Sequence, residues 1–263
     1  ATLSLGYKQM ARRCIMESFE RSLDYHLVEE DSFISAHKRL LKLCVVNEMQ
    51  VPFGDVKNPK TLQAEICSMT VLKGKAIEQV LDGINYLSQF DYVPLKEQAL
   101  QGYVNEYLLS YIEEQRRLPA DDPRKFVYNY YDRLRFYPCR DGKTLDQVEA
   151  VRKSIAEQIK NNHSSNRNQM VTWIAEEDIS SGSPPCLQIV WVPYMGNHQI
   201  EVHLHWRSRD LYGAWLANLV AIINMIQRDI AEPNNCKIVK IVDIVDSNHI
   251  YSGDFAAAKK VVF

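Results

Sequence analysis

Cys186 is the residue whose sequence surroundings most favour nucleophilic chemistry. It follows Pro184 and Pro185 and opens the apolar run Leu187–Trp191. Prolines restrict the backbone, and the end of a strand can present a thiol at a cleft. A nucleophilic thiol also needs positive neighbours that favour the thiolate. Cysteine is commonly a small buried hydrophobe as well, and the local sequence by itself favours that structural role.

A second group of polar residues begins at Arg207, twenty-one positions after Cys186. An arginine followed by Ser208 at the end of a strand offers a forked donor and a hydroxyl to a phosphate. Asn218 lies eight residues after Asp210, in the second turn if a helix begins near position 212. Its amide has the donor and the acceptor needed to bind a pyrimidine carbonyl and ring N–H. A solvated charge cluster with Asn218 as a packing amide explains the same pattern equally well.

Other sequence patterns argue against several common kinds of site. His203 and His205 have a spacing that zinc can use, but no third ligand is suitably placed, so packing or exposure is the favoured role. Neither glycine-rich phosphate-binding motif occurs, and the Gly-x-Ser-x-Gly motif of many serine hydrolases is missing from the sequence. The sequence therefore predicts no metal site.

The composition is that of an ordinary globular protein. The 263 residues are 46% hydrophobic and 24% charged, with 31 basic and 33 acidic side chains, so no global basic field favours nucleic acid or membranes. No run of eighteen apolar residues occurs, and Ala1–Lys8 lacks a signal-peptide core. The six cysteines are scattered without a Cys-x-x-Cys pair, which favours a reduced, cytoplasmic setting.

Hydrophobic periodicity predicts an α+β protein with one mixed sheet flanked by helices, in a single domain over residues 1–263. Residues 1–118 are predicted to be mainly helical, and residues 126–263 hold the candidate functional motifs. Phe126–Phe136 is predicted to be extended. The predicted helices are Ala11–Leu27, Leu62–Leu87, Leu95–Ile112, Thr144–Lys160 with Thr144 as N-cap, and Leu211–Ile230. The predicted strands are Leu41–Val51, Met170–Ile174, Leu187–Val192, Ile200–Trp206 and Lys237–Val245.

Six segments, taken in order, resemble the thymidylate synthase family, especially its shorter archaeal-type branch. Two of the family's spacings also occur here: thirteen residues from Trp173 to Cys186, and eleven from Arg207 to Asn218. Together they favour the nucleophilic role of Cys186. The matching segments are Tyr128–Leu134, Asp141–Gln147, Asn166–Trp173, Pro185–Cys186, Arg207–Asn218 and Val245–Tyr251.

The resemblance implies a role for each matching residue toward a pyrimidine nucleoside monophosphate. Cys186 would add to C6 of the base, while Arg207 and Ser208 would hold the 5′-phosphate. Asn218 would bind the edge of the pyrimidine. The residues implied to contact the sugar hydroxyl are His249 and Tyr251.

The resemblance also implies a co-substrate and a partner subunit. The one-carbon donor would be 5,10-methylenetetrahydrofolate, whose pterin would meet Asp210. Tyr130 would assist proton removal from C5 through ordered water. Arg167 would reach across a homodimer interface, formed by a face of the sheet, to the partner's phosphate.

Several positions depart from the family pattern. Asn166 replaces one of two adjacent arginines, Leu187 replaces the histidine after the nucleophile, and Trp206 replaces a glutamine. Arg39 and Glu65 are the candidates for the remaining phosphate arginine and the folate-side glutamate. No closing segment is recognised at the C-terminus.

The reaction expected from the resemblance is conversion of dUMP to dTMP, because Asn218 favours uracil. A hydroxymethylase acting on dUMP, dCMP or CMP, with water adding to the exocyclic methylene, is the alternative that Leu187 favours. A non-catalytic nucleotide-binding homologue is a further alternative.

Overall fold

A computed structural model describes residues 23–53, 60–126 and 128–263. They form a mixed sheet of nine strands and a small two-stranded sheet, β4 with β5. The strands are β1 (Tyr25–Glu30), β2 (Glu48–Phe53), β3 (Lys60–Lys73), β4 (Tyr137–Pro138), β5 (Thr144–Leu145), β6 (Gln169–Val171), β7 (Leu187–Trp191), β8 (Tyr194–Gly196), β9 (Gln199–Trp206), β10 (Arg209–Asp210) and β11 (Lys237–Tyr251).

The large sheet has the strand order β1-β3-β11-β9-β7-β6. Its centre is the long strand β11, which runs antiparallel to β3 and parallel to β9. The short strand β10 pairs in parallel with the last part of β11, so Asp210 lies beside His249. This pairing brings together two candidate site residues that are thirty-nine positions apart in the sequence.

The described helices flank this sheet. The most apolar of them, α9, has eleven of its twelve residues buried. A helix that is apolar on all sides is stable only in the interior of the protein. The helices are α1 (Phe33–Val46), α2 (Lys75–Leu81), α3 (Gly83–Leu87), α4 (Glu97–Asn105), α5 (Leu109–Arg117), α6 (Tyr130–Arg135), α7 (Gln147–Lys160), α8 (Ala175–Asp178), α9 (Trp215–Ile226) and α10 (Ser252–Val262).

The two faces of the large sheet differ in burial. One row of registered residues is buried on all five strands that it crosses: Val28, Thr70, Asp243, Leu204 and Val190. Because successive side chains of a strand point to opposite faces, the adjacent row faces the other way. That row consists of Leu27, Met69, Ile244, His205 and Ile189, and none of its members is fully buried.

The predicted α+β class with one mixed sheet flanked by helices is confirmed, but the predicted helix Leu62–Leu87 is wrong over its first half. Lys60–Lys73 is a strand between β1 and β11. Its apolar residues fit both periodicities, and pairing on both edges decides the outcome. The predicted strand Leu41–Val51 is also wrong in part, because α1 extends to Val46. The described residues of the N-terminal part, 23–53 and 60–118, are therefore less helical than predicted.

Further differences concern where helices begin. Asn129 caps α6 by accepting from the backbone N–H of Tyr131 at 2.7 Å, inside the segment predicted to be extended. Asp146, and not Thr144, caps α7. The predicted helix Leu211–Ile230 begins only at Trp215 and ends in a π-helical turn at Gln227–Ala231. Asn218 therefore lies in the first helical turn.

Of the predicted helix Ala11–Leu27, residues 11–22 lie outside the described residues. Its last residues, Tyr25–Leu27, belong to strand β1.

Candidate active site

A cavity of about 1030 Å³ opens where β9, β10 and β11 end beside the start of β7 and helix α4. Eight of the nine residues predicted for the site line it: Tyr130, Cys186, Arg207, Ser208, Asp210, Asn218, His249 and Tyr251. The other lining residues used below are Lys60, Tyr103, Glu106, Tyr128, Pro184 and Arg209.

Cys186 lies immediately before β7, in a segment that Arg207 holds in place. The Arg207 guanidinium donates from Nε to the Pro185 carbonyl at 2.9 Å and from Nη2 to the Pro184 carbonyl at 2.7 Å. Its Nη2 also lies 3.9 Å from the Cys186 Sγ. The two prolines restrict the backbone that presents these carbonyls to the arginine. The predicted positive neighbour of the thiol is thus present.

Opposing effects act on the Cys186 thiol. Burial raises its pKa above the ordinary value, while the positive charge of Arg207, a hydrogen bond with Tyr130 and the charge of Arg209 lower it. The net direction is upward, so the thiol is the resting form in this cavity. Nearby cationic groups stabilise the thiolate form of a buried cysteine most strongly when a bound ligand excludes the remaining water.

The cavity contains some of the predicted phosphate-binding residues and one positive residue that was not predicted. Ser208 is buried beside Arg207, and Lys60 at the start of β3 adds a further positive charge to the lining. Arg167 is exposed and is not among the lining residues. Arg39 pairs with Glu30 at 3.2 Å on the surface and is not among the lining residues, so its role toward the phosphate stays a prediction.

Asn218 enters the cavity from the first turn of α9. Its Oδ1 accepts a hydrogen bond from the hydroxyl of Tyr103, which comes from α4 in the N-terminal part of the chain. Both side chains line the cavity. Burial raises the pKa of Tyr103 to about 12, so its hydroxyl stays protonated at neutral pH.

Asp210, His249 and Tyr251 form one wall. The Asp210 Oδ1 accepts from the Gly213 backbone N–H at 2.8 Å, and burial raises the pKa of this carboxyl. The rings of His249 and Tyr251 meet edge to face with centroids 4.8 Å apart. Glu65 is fully buried behind them and accepts from the Ser247 hydroxyl. It is not among the lining residues, and its folate-side role stays a prediction.

A buried ion pair lies next to the cavity. The Arg209 Nη1 donates to the Asp243 Oδ1 at 2.6 Å, and the indole N–H groups of Trp206 and Trp215 donate to the same carboxylate, each at 2.9 Å. The guanidinium stacks on the Trp206 ring at 4.1 Å. Trp206 connects this ion pair to the site, because its ring meets the Tyr130 ring edge to face with the centroids 5.7 Å apart.

A family model described as thymidylate synthase matches residues 9–262. The chain belongs to the thymidylate synthase family. This is a family of methyltransferase-type enzymes, and it accounts for the order and spacing of the segments that meet at Cys186.

Curated relatives agree with the family assignment at modest identity. A protein of Methanothermobacter marburgensis named "Putative thymidylate synthase" is 33% identical over 143 residues, which are 54% of this chain and 59% of the relative. One of the same name from Methanopyrus kandleri is 28% identical over 166 residues, 62% and 68% of the two chains. The thymidylate synthase of Staphylococcus haemolyticus is 28% identical over 130 residues, 49% and 39%. The chain thus matches well under two thirds of the first relative's length.

Several residues of the cavity were not predicted from the resemblance to the thymidylate synthase family. Tyr103 lies in α4 and Glu106 directly follows this helix, both before the first matching segment, and only the folded chain brings them to the cavity that Asn218 lines. Burial raises the pKa of Glu106. Arg209 stands inside a matching segment, and its pairing explains the unusual Trp206, whose ring and N–H both support the buried ion pair.

No helix in the described part of the chain is long and apolar enough to cross a membrane. Within residues 23–53, 60–126 and 128–263, no group of three or more potential metal ligands is found. His203 instead contacts Glu201 at 2.9 Å, and His205 contacts Asp246 at 3.1 Å.

Proposed function

We propose that this protein transfers a one-carbon unit from 5,10-methylenetetrahydrofolate to C5 of a pyrimidine nucleoside monophosphate, with dUMP as substrate and dTMP as product. The observation that carries the proposal is the convergence of eight predicted side chains on one cavity around Cys186. They come from four separate sequence segments, the matching segments that begin at residues 128, 185, 207 and 245. Unrelated structural roles would not bring them together.

Cys186 is the proposed nucleophile. Its thiolate adds to C6 of the pyrimidine, and the electrons of the C5–C6 double bond move to C5 and the O4 carbonyl, which makes C5 nucleophilic. Arg207 lies 3.9 Å from the sulfur and stabilises the thiolate when it forms. After the carbon unit bonds to C5, Tyr130 assists removal of the C5 proton, and the bond between the carbon unit and the folate nitrogen breaks to leave an exocyclic methylene on C5. Hydride from the folate then adds to this methylene as the C5–C6 double bond re-forms and the C6–sulfur bond breaks, which restores the thiolate.

The cavity has room for a nucleotide and a folate together. Its volume of about 1030 Å³ is at the upper end of the range for small-molecule sites. When bound, methylenetetrahydrofolate supplies the carbon unit and the electrons that reduce it to a methyl group. Asp210 and Glu106 are the acidic lining residues that would hold the pterin, whose ring carries N–H donors. Burial raises the pKa of both carboxyl groups, which suits them to share protons with such a ring.

Hydroxymethylation of dUMP, dCMP or CMP is the second candidate reaction. The position after the nucleophile is Leu187, which is fully buried in the sheet and contributes no polar group to the cavity. The ordered water of a methyl-forming site would then need a hydrogen-bond partner other than the residue at position 187. In this reaction water adds to the exocyclic methylene in place of the reducing electrons.

Product analysis distinguishes these reactions. The full chain is incubated with methylenetetrahydrofolate and dUMP, dCMP, UMP or CMP, and products are identified by mass. We expect dTMP from dUMP. Cys186→Ser should abolish it, whereas Cys139→Ser, at an exposed cysteine remote from the cavity, should not. A hydroxymethylated product would support the second candidate. A non-catalytic nucleotide-binding homologue would form no covalent adduct with 5-fluoro-dUMP and the folate.

We further propose that the open face of the large sheet forms a homodimer interface. This face carries Leu27 at 56% and Tyr25 at 59% exposure, together with the partly exposed Met69 and Ile244. Apolar side chains of this size on a broad sheet face favour association. Arg167 does not reach the cavity of its own subunit, so the proposal assigns it to the partner's phosphate site.

Subunit complementation tests the dimer. Mixed dimers of Arg167→Ala and Cys186→Ser subunits should regain about half of one wild-type dimer's activity, because one of the two sites is then intact. Sedimentation velocity measures the association independently. A monomer in solution, or no regained activity in a mixed dimer, would contradict the proposal.

A further inference from the structure

The Asn218 amide is held in one orientation by a residue outside every segment of the family resemblance. Tyr103 of α4 donates its hydroxyl proton to the Asn218 Oδ1. The two residues are 115 positions apart, and both border the cavity. Among the described residues, the Asn218 Nδ2 has no hydrogen-bond partner. This nitrogen is not completely buried, so a ligand can reach it.

This hydrogen bond decides which end of the Asn218 amide faces a ligand. The amide oxygen is directed to Tyr103, which leaves the amide nitrogen, with its two N–H donors, available to a ligand in the cavity. On a pyrimidine ring C6 and N3 are at opposite corners. A base attacked at C6 by Cys186 therefore turns its N3–C4 edge away from the thiol, toward other lining residues.

The two natural bases differ at this edge. Uracil carries a carbonyl oxygen at C4, which accepts from the Asn218 Nδ2. Cytosine carries an amino group there, so two donors would face each other. Rotating the amide by 180° removes that conflict but turns Nδ2 toward the Tyr103 hydroxyl, whose proton then loses its acceptor. A buried polar group that loses its partner is costly.

We propose that Tyr103 is a positioning residue for base choice: its hydrogen bond fixes the Asn218 amide in the orientation that selects a 4-carbonyl pyrimidine nucleotide. This inference rests on the proposed function, since it concerns the nucleotide bound at that site. It adds a residue from the N-terminal part of the chain to the specificity of the site.

Equilibrium binding of dUMP and dCMP to the full chain, measured by titration calorimetry, tests the inference without requiring turnover. The wild type should bind dUMP more tightly. Tyr103→Phe removes only the hydroxyl, and the dUMP to dCMP affinity ratio should fall about tenfold. Tyr128→Phe is the matched control. It also removes a tyrosine hydroxyl from the lining of the cavity, but the Tyr128 ring packs against Tyr130, and the hydrogen bond to Asn218 is left intact. It should change both affinities alike.

A second variant tests the contact between Asn218 and the base, on which the role of Tyr103 depends. In Asn218→Asp, one carboxylate oxygen still accepts from Tyr103 while the other presents an acceptor to the cavity, so the preference should reverse toward dCMP. A ratio unchanged in Tyr103→Phe would overturn the inference and leave the proposed function standing, whereas a wild type that prefers dCMP would overturn both the inference and the choice of dUMP as substrate. If neither nucleotide binds, the proposed function itself fails and the inference fails with it.

Discussion

Replacement of Asp243 by asparagine should destabilise the protein severely. Asp243 is fully buried and accepts from the Arg209 guanidinium at 2.6 Å and from the indole N–H groups of Trp206 and Trp215 at 2.9 Å each. The amide removes the negative charge and places N–H donors against those of its partners. Breaking a buried ion pair by removing one partner costs about 3–5 kcal/mol. An indole N–H left unpaired adds about 1–3 kcal/mol.

The expected loss is therefore about 4–8 kcal/mol, a large fraction of the roughly 5–15 kcal/mol that stabilises a typical domain. Urea denaturation followed by circular dichroism measures it. The double variant Arg209→Met, Asp243→Asn removes both charges and keeps apolar packing on the Trp206 ring. It should be clearly more stable than the sum of the two single losses predicts.

An exposed pair gives the control for this measurement. Arg124 and Asp122 form a contact of 2.7 Å, nearly as short as the buried one at 2.6 Å, but the arginine side chain is 71% exposed. Asp122→Asn should cause no measurable loss, because solvent screens the charges. The reasoning is refuted if Asp243→Asn costs less than about 1 kcal/mol, or if the double variant loses as much as the two single variants combined.

Three further predictions follow from buried groups. Burial lowers the pKa of His37 from 6.5 to about 4, and its Nε2 donates to the Leu211 carbonyl at 2.9 Å. The unfolded chain binds the proton first, so the free energy of unfolding should decrease by up to about 3 kcal/mol as the pH falls from 6.5 to about 4; His37→Gln should lack this component in urea titrations at a series of pH values. At Gly83 an added Cβ would lie 2.3 Å from a methyl group of helix α9, so Gly83→Ala should cost about 1–3 kcal/mol in thermal or urea unfolding. Gly102→Ala, with no atom within 4 Å, should cost nothing, and equal losses would contradict the packing argument. Arg207→Ala should raise the pKa of the Cys186 thiol further, which is visible as a shift of iodoacetamide alkylation to higher pH; an unchanged alkylation profile would show that the guanidinium does not act on the sulfur.

The sequence by itself determined the elements whose signals are local. Ile200–Trp206 alternates between apolar and polar residues, and the structure has a strand there whose apolar side chains are buried. Most of the side chains around Cys186 were predicted from the resemblance of the segments between Pro185 and Tyr251 to the thymidylate synthase family, because their types and spacing by themselves also fitted structural roles. A residue type sets what chemistry is available, and spacing along a strand or helix sets which side it faces, so both can be read without a partner.

Only the tertiary structure decided features that depend on distant partners. Leu62–Lys73 is apolar enough for a helix or a strand, and it is a strand because β1 and β11 pair with its two edges. Arg209 resembles a surface charge in sequence, yet Asp243 and two tryptophans neutralise and cover it.

The orientation of the Asn218 amide likewise depends on Tyr103, 115 residues away. Hydrogen bonds and ion pairs of this kind form when packing brings distant groups together and removes water. Their strength comes from a low-dielectric interior that no local pattern encodes.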